Sequence, residues 1–518
     1  MKSLPRTLGE LRESGFEPES VREEMRRNLL GRLRSREKTF EGVHGYERTV
    51  IPAIHNAILA KHDMILLGLR GQAKTRLLRS LTQFLDERIP TVEGCEINDS
   101  PFHPSCKRCR RLSTEAGDDL PVAWLHREDR YREKLATPDV TVADLIGDID
   151  PIKAANRRLE YSDEEVIHYG IVPRTNRGIF AINELPDLAP RIQVGLLNIL
   201  EERDLQIRGF PVRIPLDVVL VFSANPEDYT SRGTIITPLK DRIDSQILTH
   251  YPQSVAISMS ITDQEAWMDR PDEGVEIEIP VYVREMIEEI AFAARSSELV
   301  DQSSGVSARM PISAIEILKS NLERRAAILG ESPVFPRLAD LSMILPAITG
   351  KVEMVYEGEQ QGPEVVARKL IGAAVLKYFE RRFPPVEKAG DAGRRRRRTE
   401  LDDDSFGGIF ESQTTEPEAR IEGDAPYGEI VGWFQEGHRV TLSDEQAFDE
   451  YFSRLSEVPR LAETARQFTS PRHDAELAFT MEVILEALHQ ALRLTREDLD
   501  STVTFSELLK FNVLRTVR

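Results

Sequence analysis

The stretch Met64-Ile65-Leu66-Leu67-Gly68-Leu69-Arg70-Gly71-Gln72-Ala73-Lys74-Thr75-Arg76-Leu77-Leu78-Arg79-Ser80-Leu81 runs from four apolar residues through a glycine-bearing loop into a helical pattern. Strand, loop and helix in that order make a phosphate-binding unit. Backbone amides wrap phosphate oxygens where glycines let the chain approach, a lysine reaches the β and γ phosphates, and a hydroxyl ligates Mg²⁺. Gly68, Leu69, Arg70, Gly71, Gln72 and Ala73 supply the loop, Lys74 the cation and Thr75 the hydroxyl. The expected cofactors are therefore ATP and Mg²⁺. Ala73 stands where the pattern G-x-x-x-x-G-K-[ST] has its last glycine, a change that costs least if this position has negative φ.

Further apolar runs of strand length are Val122-Ala123-Trp124-Leu125, Ile179-Phe180-Ala181-Ile182 and Val218-Val219-Leu220-Val221-Phe222. With helical periodicity between them, they suit buried central strands of a parallel sheet with crossover helices over residues 40–270. The run at Ile179 ends in Asn183-Glu184, where nucleotide-hydrolysing P-loop proteins usually carry Asp-Glu facing the phosphates. Glu184 is the candidate base for an attacking water, and Asn183 belongs with the nucleotide-binding set. The run at Val218 ends in Ser223-Ala224-Asn225-Pro226, which places the Asn225 amide where it can orient that water. Leu205 to Pro215 reads as a β-hairpin turning at Gly209.

Gly68–Thr75, Ile179–Glu184, Val218–Pro226 and Pro238-Leu239-Lys240-Asp241-Arg242-Ile243-Asp244 together resemble AAA+ ATPases of the group holding magnesium-chelatase I subunits and MoxR-type proteins. The similarity covers roughly residues 40–325. It implies that Arg242 reaches the γ-phosphate of a neighbouring subunit as an arginine finger, and a site completed in trans implies a ring, by the family pattern a homo-hexamer. It also implies that Arg309, in Gly305-Val306-Ser307-Ala308-Arg309, is a second sensor on a helical lid. Val43-His44-Gly45-Tyr46 is similar to the segment that cradles the nucleotide base. Insertions near Thr141–Asp150 and at the Leu205–Ile214 hairpin mark the group. Its members commonly remodel or load a partner carrying a von Willebrand A-type domain. Two other functions fit the same motifs: a magnesium-chelatase ATPase subunit of Mg-porphyrin synthesis, and a weakly hydrolysing nucleotide-gated scaffold, suggested by Asn183. An enhancer-binding transcription ATPase is disfavoured because no helix-turn-helix pattern on a basic C-terminal domain is evident.

At 518 residues the chain exceeds what one core organises. The expected fold class is α/β: an AAA+ P-loop parallel sheet with a helical lid domain and a small helical C-terminal domain. Residues 1–39 read as a helical arm, 40–270 as the ATPase domain, 271–383 as the lid, 384–425 as a charged linker and 426–518 as the C-terminal domain. The linker holds the run Arg394 to Arg398 followed by Asp402-Asp403-Asp404. Leu477, Met481, Ile484, Leu485, Leu488 and Leu492 form an amphipathic stripe read as core. A formal net charge of -19 argues against unspecific binding to nucleic acid or anionic membrane. No run is apolar enough to span a bilayer, and the charged start lacks a signal-peptide stretch, so the expected location is the cytoplasm. The three cysteines are too few and too local for a disulfide framework. Cys95, His103, Cys106 and Cys109 are a candidate tetrahedral Zn²⁺ set, with reduced, unliganded thiols as the alternative.

Overall fold

The computed structural model describes residues 4–158, 163–206, 213–225, 233–271, 275–386, 426–499 and 502–508. The chain divides into two compact units, Met1–Gln253 and Ser254–Arg518. Strands of the first unit are β1 (Met64–Leu67), β2 (Arg88–Val92), β3 (Val122–His126), β4 (Tyr131–Leu135), β5 (Gly147–Ile149), β6 (Ile167–Tyr169), β7 (Gly178–Asn183), β8 (Asp204–Gln206), β9 (Arg213–Pro215), β10 (Val218–Ala224) and β11 (Ser245–Leu248). Five of them form a parallel sheet in the order β11-β1-β10-β7-β4. The central β7 and β10 are buried at every position, which is why both read as uninterrupted apolar runs ending in small or amide residues.

Register aligns the strand ends. Leu67 pairs with Ala224, Phe222 with Ile182 and Leu135 with Asn183, so the loops leaving β1, β7 and β10 emerge at one edge. In an open α/β sheet that carboxyl edge is where ligands bind. Alternation along the strands fills two cores. Ile65, Phe180, Ile182, Leu220 and Phe222 pack with Ile192, Leu196 and Ile199 of the helix Pro190–Glu201. Met64, Leu66, Ile179, Ala181, Val219 and Val221 point the other way, against Leu77, Leu78 and the helices Val21–Ser35 and Val50–Leu59.

The N-terminal arm therefore packs on one face of the sheet. Ser20 starts the helix Val21–Ser35 with a capping box closed by Glu23. Its buried Glu24 pairs with buried Arg130, Nη1 donating at 2.7 Å and Nη2 at 2.5 Å, while Arg130 Nε donates to the Arg177 carbonyl at 2.8 Å. The Asp86 N–H donates to the same carboxylate at 2.6 Å.

Two expectations change. Val122–Leu125 is not a central strand: β3 pairs antiparallel with β2, outside the sheet, and only Val122 of its five residues is buried. The sheet edge is instead β4, whose Arg132, Glu133 and Lys134 concealed it from an apolar scan. The first unit ends at Gln253, so the helix Val255–Glu265, expected in the ATPase domain, belongs to the second unit, where Ser258 Oγ and Thr262 Oγ1 each donate to Glu288 at 2.5 Å.

In the second unit one continuous core runs from Val283 to Phe505, joining what the sequence divided into a lid and a C-terminal domain. The helix Asp474–Gln490 lies at its centre, with Leu477, Met481, Ile484, Leu485 and Leu488 buried. Leu492 falls beyond that helix and is 56% exposed, so it leaves the stripe. Strands β12 (Val440–Ser443), β13 (Leu494–Leu499) and β14 (Thr502–Glu507) add an antiparallel sheet, order β12-β14-β13, to the helical C-terminal region. Of the expected linker, residues 387–425 lie outside the described residues, as does the tip of the hairpin, 207–212, whose arms pair as β8 and β9. Among the described residues no helix is long and apolar enough to cross a membrane.

Candidate nucleotide site

Gly68 follows β1 and donates its N–H to the Ala224 carbonyl of β10 at 3.2 Å. A Cβ there would lie 1.9 Å from Thr249 Oγ1 and 2.2 Å from Gln72 Oε1, so space alone requires glycine. Those two groups bond each other, Thr249 Oγ1 donating to Gln72 Oε1 at 2.6 Å. The Tyr46 hydroxyl reaches the His250 carbonyl at 2.7 Å and the Gln72 carbonyl at 3.0 Å, and Tyr251 donates to the Arg70 carbonyl at 2.9 Å. Burial pushes the Tyr46 phenol up to about 12, which keeps it a neutral donor. The loop is thus clamped from outside by Tyr46 and by the segment after β11. Thr249 and Tyr251 carry no motif and were invisible in the sequence. Tyr46 stands in the segment that resembles the base-cradling one, yet its hydroxyl holds the loop backbone.

Gly71 has φ +73° and Ala73 φ +55°, ψ 19°. The condition under which alanine would be tolerated without strain is not met: Ala73 occupies the left-handed region, at a cost on the order of 1–2 kcal/mol. Lys74 opens the helix Lys74–Arg79 and is only 7% exposed. Its Nζ donates to the Gly68 carbonyl, to the Leu69 carbonyl at 3.0 Å and to Asn225 Oδ1 at 3.4 Å. Thr75, beside it, is partly exposed. The loop therefore holds a buried ammonium against the Gly68 and Leu69 carbonyls and the Asn225 amide, and a polyanion entering the loop would replace these with charge-assisted contacts.

Ser223 links the two neighbouring strand ends. Its Oγ donates to Asn183 Oδ1 at 3.1 Å and accepts from the Glu184 N–H at 3.4 Å. Glu184 lies at φ +55°, ψ 51°, where the chain turns off β7, and is half-buried. Lys74, at the start of the helix after β1, thus meets Asn225 at the end of β10, and Ser223 ties β10 to Asn183 and Glu184 at the end of β7.

Arg242 closes the helix Thr237–Arg242 and is about one-third exposed. It donates to Glu201 Oε2 at 2.8 Å and to the Pro238 carbonyl at 3.0 Å. Such an exposed pair contributes about 0–1 kcal/mol, so the guanidinium can leave it cheaply. Arg309 is the first residue of the helix Arg309–Leu329 in the second unit, where its N–H donates to Ser307 Oγ at 3.1 Å.

The cysteine set comes together with one exchange. Ligand atoms of Cys95, Asp99, Cys106 and Cys109 lie within 4.8 Å of one another. His103 is not among them: it follows the buried Asp99 in a turn, its N–H donating to the Ser100 carbonyl at 3.2 Å, and its side chain is exposed. Asp99, one helical turn's spacing from Cys95, takes the fourth place. Hydrogen bonds from Cys106 and Cys109 lower the Cys95 thiol, and burial raises the Asp99 carboxyl.

Residues 122–243 match the AAA domain of the dynein-related subfamily. The matched span holds β4, β7 and β10 and with them Asn183, Glu184, Asn225 and Arg242, while Gly68–Thr75 precedes it. The fold is of the AAA+ type. The hydrogenase transcriptional regulatory protein HoxA of Cupriavidus necator is 26% identical over 175 residues, 30% of this chain; the chain spans about a third of that relative's length, 33%. Among solved structures, the complex of magnesium-chelatase subunits BchI and BchD is 19% identical, with 62% of this chain and 98% of that one covered, at a TM-score of 0.32. NtrX of Brucella abortus in complex with ATP is 15% identical, covering 56% and 52%, also at a TM-score of 0.32.

Proposed function

We propose that the chain is an ATP hydrolase of the AAA+ type that works in the cytoplasm as a ring, a homo-hexamer by the family pattern, and remodels or loads a partner protein, one with a von Willebrand A-type domain. The observation that carries this reading is the meeting, at 3.4 Å, of Lys74 at the start of the helix after β1 with Asn225 at the end of the neighbouring β10, with Asn183-Glu184 at the end of the next strand, β7. The residues fit the nucleotide: Gly68 has no Cβ to collide with Thr249 and Gln72 where the loop begins, and Lys74 is buried against oxygens that a phosphate can displace. Lys74 and the loop amides would hold phosphate, and the Thr75 hydroxyl would hold Mg²⁺. When bound, Mg²⁺ neutralises charge on the phosphate oxygens. Asn225 orients the attacking water, Glu184 takes its proton, and Arg242 of a neighbouring subunit stabilises charge on the transferred group.

Lys74→Ala tests the reading. Calorimetry should show nucleotide binding lost while the circular dichroism spectrum is retained, because Lys74 is the loop's buried ammonium. Unchanged affinity would sink the assignment. A second reading, a nucleotide-gated scaffold with slow turnover, is favoured by one feature: Asn183 offers the site an amide oxygen, already bonded to Ser223, in place of a carboxylate.

A further inference from the structure

We propose that Cys95, Asp99, Cys106 and Cys109 form a structural zinc site, independent of the nucleotide reading. Four ligand atoms of the right chemistry lie within 4.8 Å of one another. Around a tetrahedral zinc with Zn–S bonds of about 2.3 Å, ligand sulfurs stand roughly 3.8 Å apart, so the set closes on an ion by contracting by about an ångström. Three thiolates and one carboxylate select a borderline-soft ion over Ca²⁺ or Mg²⁺.

A second observation points to a ligand. Asp99 is 1% exposed, and while its Oδ2 accepts from the Cys106 N–H at 2.9 Å, Oδ1 is buried without a hydrogen-bond partner. A buried acceptor left unpaired is costly, and a cation at the cluster would satisfy it. Backbone donors already face the sulfurs as thiolates require: the Asp99 N–H donates to Cys95 Sγ at 3.3 Å and the Cys109 N–H to Cys106 Sγ at 3.4 Å. The Arg108 guanidinium donates to Cys109 Sγ at 4.0 Å, so a cation lies beside a ligand set that keeps a net negative charge after zinc binds.

The chain between β2 and β3 is shaped for this. Gly94 at φ +68° turns it so that the Cys95 N–H meets the Val92 carbonyl at 3.1 Å, and Asn98 at φ +54° turns it again toward Asp99. Cys106 then caps the helix Lys107–Ala116, placing Cys109 one turn on. All four coordination positions would be protein atoms, which makes the site structural rather than catalytic. Its role would be to fix this excursion, whose Leu120 carbonyl accepts from the Leu8 N–H at 3.0 Å and whose successor Val122 donates to the Arg6 carbonyl at 2.8 Å.

The test uses the full chain, purified reduced and without a histidine tag from zinc-supplemented medium. Elemental analysis should find one zinc per chain, and cobalt(II) in its place should give the intense visible bands and thiolate charge-transfer absorption of a tetrahedral S₃O site. In chelator competition, Asp99→Asn, which keeps volume and all three thiols, should weaken retention by about tenfold or more. Cys109→Ser should weaken it further, and His103→Ala should leave it unchanged. A wild-type chain without zinc and without a cobalt spectrum overturns the proposal. So does zinc that survives Asp99→Asn unchanged but is lost in His103→Ala, and so does a disulfide among the three cysteines in the reduced preparation.

Discussion

Changing Asn183 to Asp adds one negative charge at the end of β7 without altering the side chain's shape. In the structure the Asn183 side chain is 9% exposed, and its Oδ1 accepts one hydrogen bond, from Ser223 Oγ at 3.1 Å. A carboxylate there would keep that bond yet lose most of its hydration, so the chain without nucleotide should be destabilised, by about 1–3 kcal/mol. With Mg²⁺ and ATP present the sign reverses. A carboxylate beside a bound divalent ion would replace a neutral contact with a charge-assisted one, a gain of about 1.5–3 kcal/mol. If that gain is realised in the transition state, turnover rises about tenfold or more. The assay is ATPase rate against Mg²⁺ concentration for wild type, Asn183→Asp, and Asn183→Asp combined with Glu184→Gln, with thermal unfolding of each in the presence and absence of Mg-nucleotide. Expected are a lower Mg²⁺ requirement and faster turnover in the single variant, abolished in the double, with a lower Tm that nucleotide restores. No gain in the single variant, or a gain that persists without Glu184, would show that Asn183-Glu184 is not the catalytic pair.

Arg242→Ala should reduce turnover far more than nucleotide affinity and should weaken ATP-promoted assembly; sedimentation showing that the active species is a monomer would remove the trans role. Glu24→Ala leaves the Arg130 guanidinium buried and unpaired, so denaturant unfolding should show a loss of about 3–5 kcal/mol, whereas a loss under 1 would mean that the pair opens to water. Burial in the second unit raises the Glu482 carboxyl from 4.5 to about 7. The folded chain then binds the extra proton between these values, so this group's contribution to stability falls as pH rises from about 4.5 through about 7, by on the order of 3 kcal/mol. Glu482→Gln should flatten that slope in unfolding measured from pH 5 to 8, and an unchanged slope would assign it to other groups.

The strand, loop and helix that begin the sheet were legible in the chain itself. A strand, a glycine-bearing loop and Lys74-Thr75 can be read locally because the proposed chemistry is local: consecutive backbone amides and the next two side chains would do the binding. The apolar runs of β7 and β10 were legible because central parallel strands are covered on both faces. β4 was not, since an edge strand tolerates Arg132, Glu133 and Lys134, and Val122–Leu125 imitated a central strand although it pairs outside the sheet. Only tertiary structure decided contacts between residues far apart in the chain. It put Thr249 and Tyr251 on the phosphate loop, gave Ala73 its left-handed backbone, and joined residues 283 to 505 into one core. It also set Asp99, not His103, beside three cysteines. Spacing along a chain limits which ligands can reach one point, but which side chain turns inward is settled by the burial and hydrogen bonds of the turn that carries it.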